Sequence, residues 1–188
     1  MKIILASASP RRKELLKNII ENFECIPSDI DETVPENIPL LSGPEYLAVK
    51  KAKFLSEKYK DSIIIGADTT VFIDNRALGK PLDKADAVNM LSLLSGRTHT
   101  VITGCALFYN GISISFSNST DVEFYPLDSC LIQEYVRSGE PLDKAGAYGI
   151  QGKGCLFVKK IAGDYYNVMG LPVSELYRKL NKFKELIK

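Results

Sequence analysis

The stretch from Ser62 to Ile73, Ser-Ile-Ile-Ile-Gly-Ala-Asp-Thr-Thr-Val-Phe-Ile, restricts the fold more than any other part of the chain. A near-continuous apolar, β-branched run is the pattern of a strand buried on both faces, which requires a sheet with helices packed over it. The run also carries an acid. Asp68 is disfavoured there by strand propensity and by desolvation, so it needs a partner, a metal ion or a part in catalysis. At 188 residues and 45% hydrophobic composition, the chain is long enough to bury a substantial core, and it is expected to form a single domain over residues 1–188.

A second strand-like run, Ile3-Ile4-Leu5-Ala6, precedes Ser7-Ala8-Ser9-Pro10-Arg11-Arg12 and then Leu15, Leu16, Ile19 and Ile20 at helical spacing. This reads as strand, tight turn, helix. Ser9 is a good N-cap, and Pro10 occupies the first helical position, where a missing N–H costs nothing. Arg11 and Arg12 place two positive charges at the positive end of a helix dipole, where acids would normally sit, so an anion is expected beside them. Phe23 to Pro27 then suggests a short strand. The acidic loop that follows, with Asp29, Asp31 and Glu32, is either a solvated turn or a cation site.

Gly43-Pro44-Glu45 opens a long helix running to about Tyr59. At about 100° per residue, Leu47, Ala48, Ala52, Phe54, Leu55 and Tyr59 gather on one face. Lys51 falls in the middle of that face, whereas Lys50 and Lys53 point away. An inward lysine either snorkels past its neighbours to water or reaches an anion.

Asp74-Asn75-Arg76 turns the chain, and Pro81 holds Lys80 extended. Asp83 caps a helix carrying Ala87, Val88, Leu91 and Leu94 that stops at Gly96. Arg97 to Phe108 reads as a strand, Asn110-Gly111 as a two-residue hairpin turn into Ile112–Phe116, and Asp121–Phe124 as a further short strand. Asp128 caps a helix that ends near Gly139. The stretch 138–152 holds four glycines, so backbone there must approach something closely, with a ligand as one reading and an ordinary surface loop as the other. Cys155–Val158 and Asp164–Val168 read as a strand pair turning at Gly163, and Pro172 opens a final helix with Val173, Leu176, Leu180 and Phe183.

Lys and Arg number 24 against 23 Asp and Glu, so there is no global field of the kind that nucleic-acid and membrane-surface binders carry. The four cysteines form no Cys-x-x-Cys pair and share the chain with one histidine, His99, which argues against zinc and for buried free thiols in a reducing compartment. The first apolar run is too short for a signal peptide or a membrane span, which leads to a cytoplasmic reading. What stands out is Arg11, Arg12, Lys51 and Lys80 set against Asp68 and Glu32. Cations to hold a polyphosphate and carboxylates to hold a divalent metal or take a proton suit hydrolysis of a phosphate ester or anhydride. No Gly-x-x-x-x-Gly-Lys-Ser/Thr loop occurs.

Five motifs also carry a family likeness: Ser7 to Arg12, Gly66-Ala67-Asp68-Thr69, Gly79-Lys80-Pro81, Leu94-Ser95-Gly96-Arg97-Thr98-His99, and the run from Gly139-Glu140-Pro141 to Gln151-Gly152. Through them the chain resembles the Maf family of nucleoside triphosphate pyrophosphatases, departing at Thr70, where the family more often has an aliphatic residue. The resemblance implies an α/β fold with a long twisted mixed sheet flanked by helices, two lobes around a deep cleft as in Maf and ITPase-like proteins, and assembly as a homodimer. It implies hydrolysis of a nucleoside triphosphate to the monophosphate and pyrophosphate with a divalent cation, magnesium or manganese. Asp68 would accept the proton of the attacking water, Arg12, Lys51 and Lys80 would hold the phosphates, Ser7 and Ser9 would contact substrate, and Glu32 with Asp68 would bind the metal. Arg11, Thr69 and Gln151 match the members that prefer dTTP and UTP. The alternative implied by the same likeness is a nucleotide-binding regulator of cell division or septum formation without essential catalysis, which would have no need of Asp68 in a buried strand.

Overall fold

The two apolar runs pair directly. In the computed structural model, which describes residues 1–188, strand β1 (Lys2–Ala6) lies parallel to β3 (Ser62–Ile73), with Ile3 opposite Ile63 and Ala6 opposite Gly66. Strand β2 (Glu24–Cys25) adds to the other side of β1, also in parallel. The remaining elements are α1 (Pro10–Leu16), α2 (Gly43–Lys58), β4 (Arg76–Leu78), α3 (Lys84–Leu94), β5 (Thr98–Tyr109), β6 (Ile112–Phe124), α4 (Ser129–Arg137), β7 (Val158–Ala162), α5 (Tyr165–Met169) and α6 (Val173–Leu186). The seven strands form one mixed sheet in the order β2-β1-β3-β5-β6-β7, with β4 pairing β3 as an antiparallel hairpin arm. By contacts the chain divides into two compact units, one of residues 1–68, 103–118 and 170–188, the other of residues 69–102 and 119–169.

In the first unit, α2 lies on β3 with very small residues between them. Ile4, Ala6, Ala48, Ala52, Leu55, Ile64 and Ala106 make one buried cluster. Because side chains alternate along a strand, Ile64, Gly66 and Asp68 share the face that meets α2. A Cβ on Gly66 would collide with the Ala48 carbonyl oxygen and lie 2.9 Å from the Ala52 Cβ, so only glycine permits this approach. Leu47, Ala48, Lys51, Ala52 and Leu55 are buried as the helical phase predicts, but Phe54 is exposed. Phe54 sits about 20° beyond Leu47, at the rim of the stripe away from Ala48 and Ala52.

The Asn110-Gly111 turn takes φ of 45° and 83°, the left-handed pair a two-residue hairpin needs. Beyond it β6 is one strand of 13 residues rather than two short ones. Its polar middle, Ser117 to Thr120, keeps the strand conformation because a ladder is made by backbone and does not require apolar side chains.

The second unit is built around Val71, Ile73, Leu91, Leu94, Val122, Phe124, Tyr148 and Phe157. Both capping aspartates act as read from the sequence: Asp83 accepts from the Asp86 amide and Asp128 from the Leu131 amide, each at 2.8 Å. The strand pair expected around Gly163 is half right. Strand β7 runs Val158–Ala162 and pairs antiparallel with β6, but Cys155 lies in a 3-10 turn over Gly152–Phe157, and residues 165–169 are helical. Asp164 starts that helix by accepting the Tyr166 amide at 2.8 Å, and buried Asn167 donates to the Val101 carbonyl and to Thr120 Oγ1, both at 3.0 Å. These polar tethers override the β-like pattern. All four cysteines are free, yet Cys105 alone is fully buried, while Cys130 and Cys155 are exposed. No helix is long and apolar enough to cross a membrane.

His99 is 2% exposed, edge-on to Phe124 and Tyr148, with Nε2 2.8 Å from the Tyr148 hydroxyl and no partner at Nδ1. Burial pulls its pKa from 6.5 down to about 4, against a smaller opposing pull from Asp121. The folded protein therefore holds His99 neutral where the unfolded chain would protonate it. The contribution of His99 to stability is fully present above pH 6.5 and is lost as the pH drops toward 4, a loss of about 3 kcal/mol from this one group. Urea midpoints measured across that range are expected to fall for the unaltered protein and to stay flatter for His99→Gln.

Candidate active site

Two lysine contacts define the centre. Lys51, buried on α2, donates through Nζ to Asp68 Oδ1 at 2.6 Å and to Glu32 Oε1 at 2.9 Å. Its side chain is 9% exposed and that of Asp68 11%, whereas that of Glu32 is 57% exposed. The ammonium thus reaches an anion and does not snorkel to water. The reason lies in the strand and the helix: Gly66 lets α2 close on β3, and Asp68, two residues further on the same face, meets the lysine side chain next to Ala52.

The N-terminal turn opens at the same end of the sheet, since Ala6 pairs with Gly66 in a parallel ladder. Ser9 caps α1 by accepting the Arg12 amide at 3.4 Å, and Ser7 Oγ accepts the Ser9 amide at 3.1 Å. Each serine oxygen thereby serves the backbone, and its hydroxyl hydrogen remains as a donor. Arg12 is half-buried, with Nε donating to the Gly170 carbonyl at 2.8 Å. Burial holds its guanidinium below the ordinary arginine range, the Asp68 charge opposes that shift most strongly, and neighbouring Arg11 adds to it. Arg11 is itself half-buried. The first unit therefore brings together Ser7, Ser9, Arg11, Arg12, Glu32, Lys51 and Asp68. Three cations against two carboxylates leave one positive charge in excess, a balance suited to an anionic ligand.

Thr69, Lys80 and Gln151 belong to the second unit. Thr69 follows Asp68 on β3 and so faces the other side of the sheet. Lys80 is exposed, and the carbonyl of its neighbour Gly79 accepts the Gly146 amide at 3.0 Å. Gln151 is exposed at the start of the turn Gly152–Phe157. The glycines around it are explained by the chain itself: a Cβ would lie 2.8 Å from Val71 Cγ2 at Gly146, 2.7 Å from Lys144 Cε at Gly149 and 2.8 Å from Glu140 Oε1 at Gly152. Tyr135 Oη donates to Glu140 Oε1 and accepts the Gly149 amide, both at 3.1 Å, and Glu140 Oε2 accepts the Lys153 amide at 3.2 Å. The fold thus employs the Glu140 carboxylate and the Gly170 carbonyl at places that helical phase and charge patterning do not single out, and it uses the hydroxyl of Tyr135, whose helical phase marks it only as a core residue.

There is no group of three or more His, Cys, Asp or Glu side chains able to hold a metal. Glu32 and Asp68 nevertheless both touch one ammonium, so their oxygens are no further apart than the sum of those two contacts. A pair of hard carboxylates fits magnesium or manganese, which bind proteins through one or two carboxylates and complete their shell with water and phosphate oxygens.

The family model described as Maf-like protein matches residues 2–183. The chain belongs to the Maf family. Among curated Maf relatives, a Bacillus anthracis protein named dTTP/UTP pyrophosphatase is 50% identical over 187 residues, covering 97% of this chain and 95% of its own length. A Bacillus cytotoxicus protein of the same name is 48% identical over 182 residues with the same coverage, and one from Bacillus cereus 49% over 187. Two solved structures are partly similar: a nucleoside-triphosphatase / dITP/XTP pyrophosphatase from Mycobacterium abscessus at TM-score 0.42 and 18% identity, covering 69% of this chain and 77% of its own, and the Staphylococcus aureus Ham1 protein at 0.43 and 15%, covering 66% and 72%.

The Gly66 contact makes a direct forecast. Gly66→Ala forces α2 away from β3, so the variant is expected to lose about 1–3 kcal/mol of stability to overpacking, read as a lower urea midpoint. A crystal structure of the variant should show the Lys51 to Asp68 contact lengthened.

Proposed function

We propose that this Maf protein hydrolyses dTTP and UTP to the nucleoside monophosphate and pyrophosphate. The observation that carries the reading is the shared contact of Asp68 and Glu32 with buried Lys51, in the same unit as half-buried Arg12. Relatives near 50% identity that bear the name dTTP/UTP pyrophosphatase support the choice of substrate.

In this mechanism water attacks the α-phosphorus, and the bridging oxygen between the α and β phosphates leaves with pyrophosphate. Asp68 takes the water proton, with Lys51 holding the carboxylate in place through Oδ1. Arg12, oriented by the Gly170 carbonyl, counters negative charge on the phosphates, as Lys80 does by its family motif, and the Ser7 and Ser9 hydroxyls donate to phosphate oxygens. Glu32 and Asp68 would hold a divalent cation, which when bound neutralises phosphate charge. Arg11, Thr69 and Gln151 read the base. A glutamine amide both donates and accepts toward a pyrimidine edge, whereas an ionised glutamate only accepts.

A nucleotide panel with product identification tests the reaction. Equal amounts of pyrophosphate and monophosphate are expected, and release of inorganic phosphate alone would overturn the assignment. Asp68→Asn should cut turnover by about 100-fold to 10,000-fold while nucleotide binding persists. Lys51→Ala and Arg12→Ala should weaken catalysis far more than Lys53→Ala, an exposed change on the same helix. Comparison of kcat/KM should place dTTP and UTP above 7-methyl-GTP, with Gln151→Glu eroding the pyrimidine activity. A preference for the methylated purine would sink the base assignment and leave the pyrophosphatase reading in place.

A further inference from the structure

Glu32 poses a problem of placement. Its side chain is more than half exposed, and it sits between β2 and α2 in a stretch that has neither helix nor strand, yet its carboxylate meets a buried ammonium at 2.9 Å. An exposed carboxylate on irregular backbone has many rotamers and loop conformations available, and each lowers the fraction of time spent on Lys51. Something must restrict the backbone on either side of it.

Two contacts do so. Asp31 Oδ1 accepts both the Thr33 amide at 2.9 Å and the Thr33 hydroxyl at 2.7 Å, closing a small ring of chain across Glu32. That ring is local and would move as a body with the loop. Lys50 Nζ ties it down, donating to the Asp31 carbonyl at 2.5 Å from the rigid helix α2. Two successive lysines of one helix therefore hold two successive residues of the loop: Lys50 grips the Asp31 backbone, and Lys51 grips the Glu32 carboxylate. The Asp31 carbonyl is the peptide immediately before Glu32, so fixing it fixes where the Glu32 Cα begins.

We propose that Lys50 is a positioning residue for the reaction: through the Asp31 carbonyl it sets the Glu32 carboxylate on Lys51 beside Asp68. This rests on the site reading above, in which Glu32 serves catalysis. Partners that orient a ligating carboxylate typically matter by about 10-fold to 100-fold when removed. Lys50→Ala is accordingly expected to lower kcat/KM for dTTP by about tenfold or more, with Lys50→Arg, which keeps a donor on a long stem, recovering most of it and Lys53→Ala as the neutral control.

A double-mutant cycle separates positioning from general weakening. In a Glu32→Gln background the Lys50→Ala change should cost less than twofold, because its target is already gone. Hydrogen exchange gives a reading independent of turnover: amides of residues 29–34 should exchange faster in Lys50→Ala at unchanged global stability. A Lys50→Ala enzyme within twofold of the unaltered one, or a loss that persists in full in the Glu32→Gln background, would overturn the proposal while leaving the site intact. A Glu32→Gln enzyme with full activity would overturn the role of Glu32 and this inference with it.

Discussion

An ammonium and a carboxylate taken out of water together lose more hydration than their attraction returns, unless the geometry is close and the remaining valences are met. Lys51 and Asp68 meet that condition because the backbone lets them. The absence of a side chain at Gly66, and of large ones at Ala48 and Ala52, brings a helix and a strand near enough for the two long-range partners to touch. Glu32 then supplies a second acceptor for Lys51, and Arg12 adds positive potential around Asp68. Three sequence-distant segments are thus assembled around one strand residue.

Much of this arrangement could be read from the chain alone because it broke local rules. Asp68 interrupts an apolar strand, Lys51 interrupts an apolar helical stripe, and Arg11 and Arg12 sit where a helix start favours acids. Each violation names a cost, and a cost implies a partner. Local devices were equally legible: Ser9, Asp83 and Asp128 all cap as their positions suggest, since a cap depends on residues within one turn. What the sequence left hidden involves exposed groups and backbone atoms. A surface lysine such as Lys50 violates nothing, so its grip on the Asp31 carbonyl has no signature in residue types. Asp164–Val168 carries a strand-like pattern, yet Tyr165–Met169 is helical because tethers on Thr120 and Val101, far off in sequence, decide its conformation.

The glycine-rich stretch teaches a different lesson. Glycine there implies a close approach, which holds at Gly146, Gly149 and Gly152, where the approaching atoms belong to Val71, Lys144 and Glu140 of the same chain, while Gly139 has open space around it and serves a left-handed turn at φ 78°. Small residues report crowding without saying who crowds. The Tyr135 hydroxyl and the Glu140 carboxylate turn that crowding into a defined shape by capturing amides on both sides of Gln151. A segment with no long helix or strand is thereby fixed through polar contacts to helix α4 and to its own first turn, and Gln151 projects from a support of known geometry.

The hydrogen bond from Arg12 to the Gly170 carbonyl joins groups 158 positions apart. Translation makes the arginine 158 residues before its acceptor, so a nascent chain carries Arg12 through all of that synthesis without the Gly170 carbonyl at its Nε. The turn and helix from Ser7 to Leu16 can form early from local contacts, but the hydrogen bond from Arg12 Nε forms only once Gly170 has left the ribosome. A molecule cut short before Gly170 would keep every sequence motif from Ser7 to Gln151 and still lack the carbonyl that receives Arg12 Nε.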